Sequence, residues 1–350
     1  MTTEDRTPDA GEKPKAEEAK AQEAEAEEPK GERHQGERRM LPYSLIVGQE
    51  ELRTALEIAY VSPGVGGVLA TGQRGTAKTT TVRAFTTMAV SEFPVTLPIG
   101  ATDDRVLGGW EIPELMHGKS TRAEGLLERA ARSASRMLYV DEINLLDDYL
   151  VNIILDVAST GVLPLERDHH SEDLRNVEFT LVGTMNPDEG GLRPQLLDRF
   201  GLVATVESEA TDEQRQRIVE TVLRFEAERE APASEFIAEA LRRDGERKAT
   251  LDTARERVAT VRYDTDVVAR CARLAQDFAL AGHRGELVLM RAARALAAIE
   301  GAERVSRDHV RRVAKPALVH RRGRGDTGTF AAWTDQDDER VRAVLDDRTD

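Results

Sequence analysis

The chain reads Gly72-Gln73-Arg74-Gly75-Thr76-Ala77-Lys78-Thr79 directly after an apolar run, Val68–Thr71, and directly before a helix-forming segment, Thr80–Ala89. A strand, a glycine-rich loop and a helix N-terminus in this order present backbone N–H groups to phosphate oxygens. In such a loop the lysine, here Lys78, reaches the β- and γ-phosphates, and the following hydroxyl, here Thr79, binds Mg²⁺. The sequence therefore predicts a site for nucleotide phosphates in this loop.

The loop departs from the usual pattern at one position. Ala77 stands where a glycine usually precedes Lys78, and alanine adopts a positive φ only at a cost. A chance glycine-rich turn is the alternative interpretation, but the flanking strand and helix favour a phosphate loop. Thr80, the residue after the loop, completes the set that we expect to contact the nucleotide.

Two further apolar runs, Met137–Val140 and Phe179–Gly183, are followed by polar residues. Continuous apolar runs are typical of parallel strands buried on both faces, and ligands bind at the carboxyl ends of such strands. After the first run we expect Asp141 to hold Mg²⁺ through its water ligands and Glu142 to polarise the attacking water. Asn186, after the second run, is placed to hydrogen-bond the γ-phosphate or its water, with an ordinary Asn-Pro turn as the alternative.

The composition excludes several classes of protein. The 350 residues carry a formal net charge of −15, which argues against constitutive binding to nucleic acid or to an anionic membrane. No stretch approaches the ~20 apolar residues that span a bilayer, and the N-terminus shows no apolar signal segment. A single cysteine, Cys271, excludes an internal disulfide. We therefore expect a cytoplasmic protein.

Apolar periodicity divides the chain into four parts. Residues 1–39 contain almost no large apolar residue, so we expect a disordered acidic tail. Residues 40–208 alternate β-branched runs with helix-length segments, which predicts an α/β domain with a parallel sheet. Residues 209–320 place apolar residues at helical spacing and predict a smaller, all-helical domain. Residues 321–350 contain several glycines and end in acidic residues, and we expect a loosely held C-terminal tail, with anchoring by Phe330 and Trp333 as the alternative.

With these motifs assembled, residues 45–321 resemble the AAA+ ATPases, and among them the I subunits of magnesium chelatases. Beyond the phosphate loop, the stretches that carry the resemblance are Leu45–Glu50, Leu97–Val106, Tyr139–Asp148, Asn186–Phe200 and Gly282–Leu287. The resemblance implies a P-loop ATPase core over 40–208 and a helical lid over 209–320. It also implies that the nucleotide is ATP, bound with Mg²⁺.

The resemblance gives roles to residues that spacing alone leaves open. It implies that Asn186 is sensor 1, that Arg199 reaches the ATP of a neighbouring subunit, and that Arg284 is sensor 2 on the helical lid. A guanidinium donated from another subunit stabilises the charge that develops in the transition state. The alternative for Arg199 is a surface ion pair with the preceding aspartate. Ile46 and Val47 would line the adenine pocket, with an apolar core position as an equal alternative.

The sequence also departs from the family. The segment between Ala89 and Leu97 is shorter than in photosynthetic I subunits, and the acidic N-terminal tail is not a family feature. Leu107–Ser120 and Gly161–Asn176 match family insertions that project towards partners. These departures weaken the prediction of the substrate more than the prediction of ATP hydrolysis.

The resemblance implies a motor that hydrolyses ATP as a homo-oligomeric ring, hexameric as in the family. Its partners would be a VWA-domain D-type subunit and a large chelatase subunit that inserts Mg²⁺ or Co²⁺ into a tetrapyrrole. The alternative is a chaperone or assembly factor similar to the MoxR ATPases, which also works with a VWA-domain partner. A DNA-remodelling ATPase is disfavoured by the acidic balance, despite a basic stretch at Arg311–Arg324.

Overall fold

A parallel sheet lies at the centre of the amino-terminal part of the protein. The computed structural model describes residues 40–110, 122–167, 170–207, 211–231, 234–322 and 331–347. The strands within these ranges are β1 (Gly67–Thr71), β2 (Val95–Leu97), β3 (Gly109–Trp110), β4 (Arg122–Ala123), β5 (Met137–Val140), β6 (Val162–Arg167), β7 (His170–Arg175), β8 (Thr180–Met185) and β9 (Phe200–Thr205). Five of them form one sheet in the spatial order β2-β5-β8-β1-β9, and every neighbouring pair is parallel. The predicted α/β domain with a parallel sheet is confirmed.

Helices cover both faces of this sheet and continue into the carboxy-terminal part. They are α1 (Glu50–Val61), α2 (Lys78–Val90), α3 (Asp103–Leu107), α4 (Leu126–Arg132), α5 (Asp148–Thr160), α6 (Pro194–Leu197), α7 (Asp212–Glu228), α8 (Glu235–Arg257), α9 (Thr265–Asp277), α10 (Arg284–Ile299), α11 (Arg307–Leu318) and α12 (Asp335–Asp346). A hydrophobic core lies on each face of the sheet. Val68 and Ala70 of β1 pack into the core on one face, and Leu69 packs into the core on the other. Burial on both faces explains why the strands are continuous apolar runs.

The carboxy-terminal part shares one of these cores. From α7 onwards the described residues are predominantly helical, which confirms the predicted all-helical part. The core that contains Val68 also contains Leu289 of α10 and Val310 of α11. Tyr60 of α1 donates from Oη to Asp252 Oδ1 of α8 at 2.7 Å. The described residues from Leu41 onwards accordingly form one compact unit.

The segment that forms α12 differs from the sequence-based expectation of a loosely held tail. Its residues Val341, Val344 and Leu345 are buried in the core shared with the sheet. Arg270 of α9 donates from Nη1 to the Val344 carbonyl at 2.6 Å. The expectation is therefore wrong for this segment, because three apolar residues at helical spacing are enough to anchor an otherwise acidic helix.

Two sequence-based expectations fall on other parts of the chain. The acidic tail, residues 1–39, and residues 111–120 of the first expected insertion lie outside the described residues. Within the described ranges, no helix combines the length and the apolar character needed to cross a membrane.

Candidate nucleotide site

The loop between β1 and α2 starts from a fixed point at the carboxyl edge of the sheet. A Cβ atom on Gly72 would lie 2.0 Å from the Val206 carbonyl oxygen, so only glycine fits there. Gly72 donates its N–H to the Met185 carbonyl at 3.0 Å, and Val206 donates to the Thr71 carbonyl at 2.7 Å. The first residue of the loop is thus held between β8 and the residue that follows β9.

The turn into α2 contains a strained backbone position. Ala77 has φ 60° and ψ 19°, the left-handed conformation that glycine adopts freely. An L-residue there costs roughly 1–2 kcal/mol. The carbonyl of Ala77 nevertheless accepts from both the N–H and the hydroxyl of Thr81, each at 2.9 Å, so the helix begins normally. The unusual alanine of the loop therefore stores strain directly before Lys78.

The side chain of Lys78 lies inside the loop. Its Nζ donates to the carbonyl oxygens of Gly72 at 2.6 Å and of Gln73 at 2.7 Å. Partial burial lowers the pKa of Lys78, and the negative charges of Asp141 and Glu142 oppose that shift. The ammonium group is therefore placed between the loop backbone and the two carboxylates that follow β5.

A chain of hydroxyl groups joins Thr79 to Asp141. Thr79 Oγ1 and Tyr139 Oη are 2.9 Å apart, and Tyr139 donates to Asp141 Oδ1 at 2.9 Å. Thr184 Oγ1 donates to the same carboxylate oxygen at 2.6 Å and accepts from the Glu142 N–H at 3.0 Å. Burial, reinforced by the charge of Asp141, raises the pKa of Tyr139 to about 12, so its hydroxyl keeps the proton that it donates. These bonds fix both predicted metal-binding residues.

A second set of contacts joins the two predicted water-orienting residues. Glu142 has φ 51°, and strained non-glycine positions of this kind cluster at active sites. Arg74 Nη2 lies 3.3 Å from Glu142 Oε1, and Arg74 Nε lies 2.8 Å from Glu189 Oε1. Asn186, which is 7% exposed, donates from Nδ2 to the same Glu189 oxygen at 2.9 Å. Glu142 and Asn186 are thus held on one side of the loop.

These residues enclose a pocket of about 410 Å³ above the loop. Its lining is Arg74, Gly75, Thr76, Ala77, Lys78, Thr79, Thr80, Asp141, Glu142, Thr184, Met185 and Asn186. A nucleotide requires donors for its phosphates, and the pocket offers backbone N–H groups at a helix N-terminus and one lysine ammonium group. Mg²⁺ requires oxygen ligands, and the pocket offers a hydroxyl beside a carboxylate. The chemistry of the pocket therefore fits a Mg²⁺–ATP complex.

The two predicted arginines of the site form ion pairs elsewhere. Arg199, whose side chain is 29% exposed, pairs with Asp156 of α5. Arg284, at the start of α10, lies with Nη1 3.2 Å from Asp198 Oδ2. The alternative interpretation of Arg199, a pair with Asp198, is not what the structure shows. Both arginines lie at the turn before β9, and the pocket in this chain is lined by other residues.

The segment before α1 contacts the loop through one side chain that the sequence did not single out. Gln49 donates from Nε2 to the Thr76 carbonyl at 2.9 Å. Ile46 is 7% exposed and belongs to the core, whereas Val47 is half-buried. The sequence also missed Tyr139, although it lies two residues before Asp141 and therefore on the same face of the strand.

Comparisons with known proteins agree with this geometry. The family model of the AAA domain (dynein-related subfamily) matches residues 67–200, and that of the AAA lid domain matches residues 268–346. The chain is 40% identical over 316 residues to the magnesium-chelatase 38 kDa subunit of Rhodobacter capsulatus, covering 81% of this chain and 88% of that protein. It is 39% identical over 307 residues to an uncharacterized protein of Mycobacterium tuberculosis, covering 85% of this chain and 47% of that protein.

A solved structure shows the same fold. The crystal structure of an ATPase candidate from Cytophaga hutchinsonii gives a TM-score of 0.58 at 16% identity and covers 94% of this chain and 98% of its own. One assignment follows from three findings: the two family models, the 40% identity across most of a chelatase subunit, and the geometry of the phosphate loop. The chain belongs to the AAA+ ATPases, in the family of the magnesium-chelatase 38 kDa subunit.

Proposed function

We propose that the protein is an ATP-hydrolysing motor that works as a homo-oligomeric, hexameric ring. The observation that carries this proposal is the hydroxyl chain from Thr79 through Tyr139 to Asp141, with both steps at 2.9 Å. It couples the hydroxyl that would bind Mg²⁺ to the carboxylate that would hold the water ligands of that ion. Lys78, inside the same loop, supplies the positive charge that the β- and γ-phosphates require.

The residues of the pocket have distinct roles in the proposed reaction. Mg²⁺ bound with ATP would neutralise phosphate charge and orient the γ-phosphate. Glu142 polarises the attacking water, and Asn186 hydrogen-bonds the γ-phosphate or that water. Arg199 of a neighbouring subunit stabilises the charge that develops on the transferred group. Arg284 closes the helical lid over the γ-phosphate.

The relatives support a chelatase motor as the cellular role. A protein 40% identical over most of this chain is named as a magnesium-chelatase subunit, and a subunit implies partner chains. In our proposal the ring drives a VWA-domain D-type subunit, and through it a large subunit that inserts Mg²⁺ or Co²⁺ into a tetrapyrrole. ATP hydrolysis supplies conformational work, and the tetrapyrrole is held by another subunit.

One feature favours a second candidate, a MoxR-like assembly factor that works with a VWA-domain partner on another client protein. The connection from α2, which ends at Val90, to β2, which begins at Val95, is a short turn. The family resemblance implies a longer segment there in the photosynthetic subunits, and a missing loop changes the surface that a partner contacts. Both candidates use the same hydrolytic residues.

The variant Glu142→Gln tests the hydrolytic role and the choice of partner together. It removes the carboxylate but keeps its size, so we expect unchanged ATP binding and a loss of turnover of about 100-fold or more. Unchanged steady-state hydrolysis would contradict the role of Glu142.

Affinity capture from the native host, with this variant, ATP and Mg²⁺, then identifies the partners. Recovery of a large chelatase subunit would support the chelatase motor. Recovery of only a VWA-domain protein with an unrelated client would favour the assembly factor. Lys78→Ala, which we expect not to bind ATP, is the matched control because its ring cannot be held in the ATP-bound form.

A further inference from the structure

The peptide segment that carries Arg199 is held by one buried side chain from the helical part. Arg321 follows α11, and its side chain is 2% exposed. Its Nη2 donates to the carbonyl oxygens of Asp198 at 3.2 Å and Phe200 at 2.5 Å, and its Nη1 donates to that of Gly201 at 3.1 Å. We call residues 198–201 the arginine turn. Arg321 thus binds carbonyls on both sides of Arg199.

Two further side chains of the helical part hold the arginine turn. Arg321 Nε lies 3.4 Å from Asp198 Oδ1, and Arg284 Nη1 lies 3.2 Å from Asp198 Oδ2. His320 Nε2 lies 3.2 Å from the Phe200 carbonyl oxygen. Burial, reinforced by the charge of Arg321, lowers the pKa of His320 well below its usual value, so the ring is neutral and donates from Nε2.

The opposite side of the arginine turn is fixed by close backbone contact. A Cβ atom on Gly201 would lie 2.3 Å from the carbonyl oxygen of Val65. The turn is therefore held between the segment before β1 and the buried fork of Arg321. A planar guanidinium donates from several nitrogens in a rigid fork, whereas the ammonium of a lysine donates from one nitrogen on a flexible stem.

We infer that Arg321 is a positioning residue that fixes the arginine turn, so that Arg199 is presented to the nucleotide of the neighbouring subunit. This inference rests on the proposed function, in which Arg199 acts from one subunit on the next. Loss of Arg321 should therefore impair ATP hydrolysis at the site of the neighbouring subunit. Nucleotide binding by the chain that carries the substitution should stay intact.

The variant Arg321→Lys keeps the charge and removes the fork. We expect kcat to fall about 10- to 100-fold, because a small misplacement of a catalytic group has effects of that size. The KM for ATP and the binding of a fluorescent ATP analogue should stay within about twofold of the unmodified protein, since only interactions made in the transition state are lost.

Mixed rings separate this positioning role from a merely structural one. Lys78→Ala subunits lack a working phosphate loop but retain the arginine turn, so they can complete the sites of Arg321→Lys subunits. We expect the mixture to hydrolyse ATP several-fold faster than the sum of the two variants assayed alone. A mixture no faster than that sum would overturn the inference, because the defect would then lie in the Arg321→Lys subunit's own site.

The matched control is a mixture of Arg199→Ala and Lys78→Ala subunits. If that mixture stays inactive, the proposed role of Arg199 fails, and the inference fails with it. If it regains activity while the Arg321→Lys mixture does not, only the inference fails.

A second variant covers the outcome in which Arg321→Lys does not fold, as judged by its melting temperature. Asp198→Asn keeps the peptide carbonyls and removes the charge that Arg321 and Arg284 share. We expect a smaller fall in kcat with the same recovery in the mixture with Lys78→Ala. Full activity of Asp198→Asn alone, or no recovery in its mixture, would overturn the inference.

Discussion

The phosphate-loop cluster (Lys78, Thr79, Tyr139, Asp141 and Thr184) and the arginine turn differ in how their polar groups are paired. In the cluster, the hydroxyls of Thr79, Tyr139 and Thr184 bond to one another or to Asp141 around the pocket. At the arginine turn, Arg199 pairs with Asp156 on α5, outside the lining of that pocket. One half of the proposed site is therefore assembled within a single chain. In our proposal, the other half acts only when a second chain is present.

The largest effect is expected for Lys78→Ala, which removes the ammonium group of the phosphate-loop cluster. Nucleotide binding and hydrolysis should both be lost, because Lys78 meets the β- and γ-phosphates, whereas the other cation of the loop, Arg74, is paired with Glu142 and Glu189. Titration with a fluorescent ATP analogue measures the first effect and phosphate release the second. Retained binding would show that the loop backbone alone is sufficient.

The next largest effect is expected for Arg199→Ala, in the arginine turn. We expect turnover to fall by about 10³-fold or more, the effect typical of an arginine supplied to a phosphoryl-transfer site. ATP affinity should persist, since the phosphate-loop cluster is unchanged. The control is Arg193→Ala, which removes the nearby ion pair of Arg193 with Asp148 at 2.5 Å and should lower activity much less. Equal effects of the two variants would contradict the role of Arg199.

Tyr139→Phe tests whether the hydroxyl chain orders the metal site. Removing Oη leaves Thr79 and Asp141 without their common partner, so we expect the Mg²⁺ concentration for half-maximal activity to rise about 10- to 100-fold. Tyr43→Phe is the control, because Tyr43 is also buried but bonds to Glu57. An unchanged Mg²⁺ dependence in Tyr139→Phe would show that its hydroxyl is only structural.

The smallest effect is expected for Ala77→Gly. Glycine relieves the left-handed strain but loses more entropy on folding, so the free energy of unfolding should rise by no more than about 1 kcal/mol. Ala238→Gly, at an exposed position within α8, should instead lower it by roughly 0.5–1 kcal/mol. Urea unfolding of both variants measures the difference. Equal destabilisation would mean that Ala77 carries no strain.

The same comparison explains what the sequence could predict. The phosphate loop, Asp141 and Glu142 are recognisable because each follows a continuous apolar strand within a few residues. Thr184 was missed because its contact depends on the register of β5 with β8, which pairs Val140 with Gly183 and so brings Asp141 beside Thr184. Because both strands are buried throughout, they lack the alternation of apolar and polar residues that would specify this register.

The arginine turn was harder to predict than the phosphate-loop cluster. A family resemblance was needed to single out Arg199 and Arg284. Neither resemblance nor spacing gave a role to Arg321, which lies more than a hundred residues beyond Arg199. Its hydrogen bonds are to backbone carbonyls, which leave no trace in the side-chain pattern. The helix α12 was missed because its few apolar residues are diluted by acidic ones.

The measurement that tests the shared site most directly is ATP hydrolysis by rings mixed from Arg199→Ala and Lys78→Ala subunits. Each variant alone lacks one half of the site, and each supplies the half that the other lacks. If the site is built from two chains, the mixture hydrolyses ATP although neither variant does so alone. A mixture as inactive as its components would contradict a site shared between subunits.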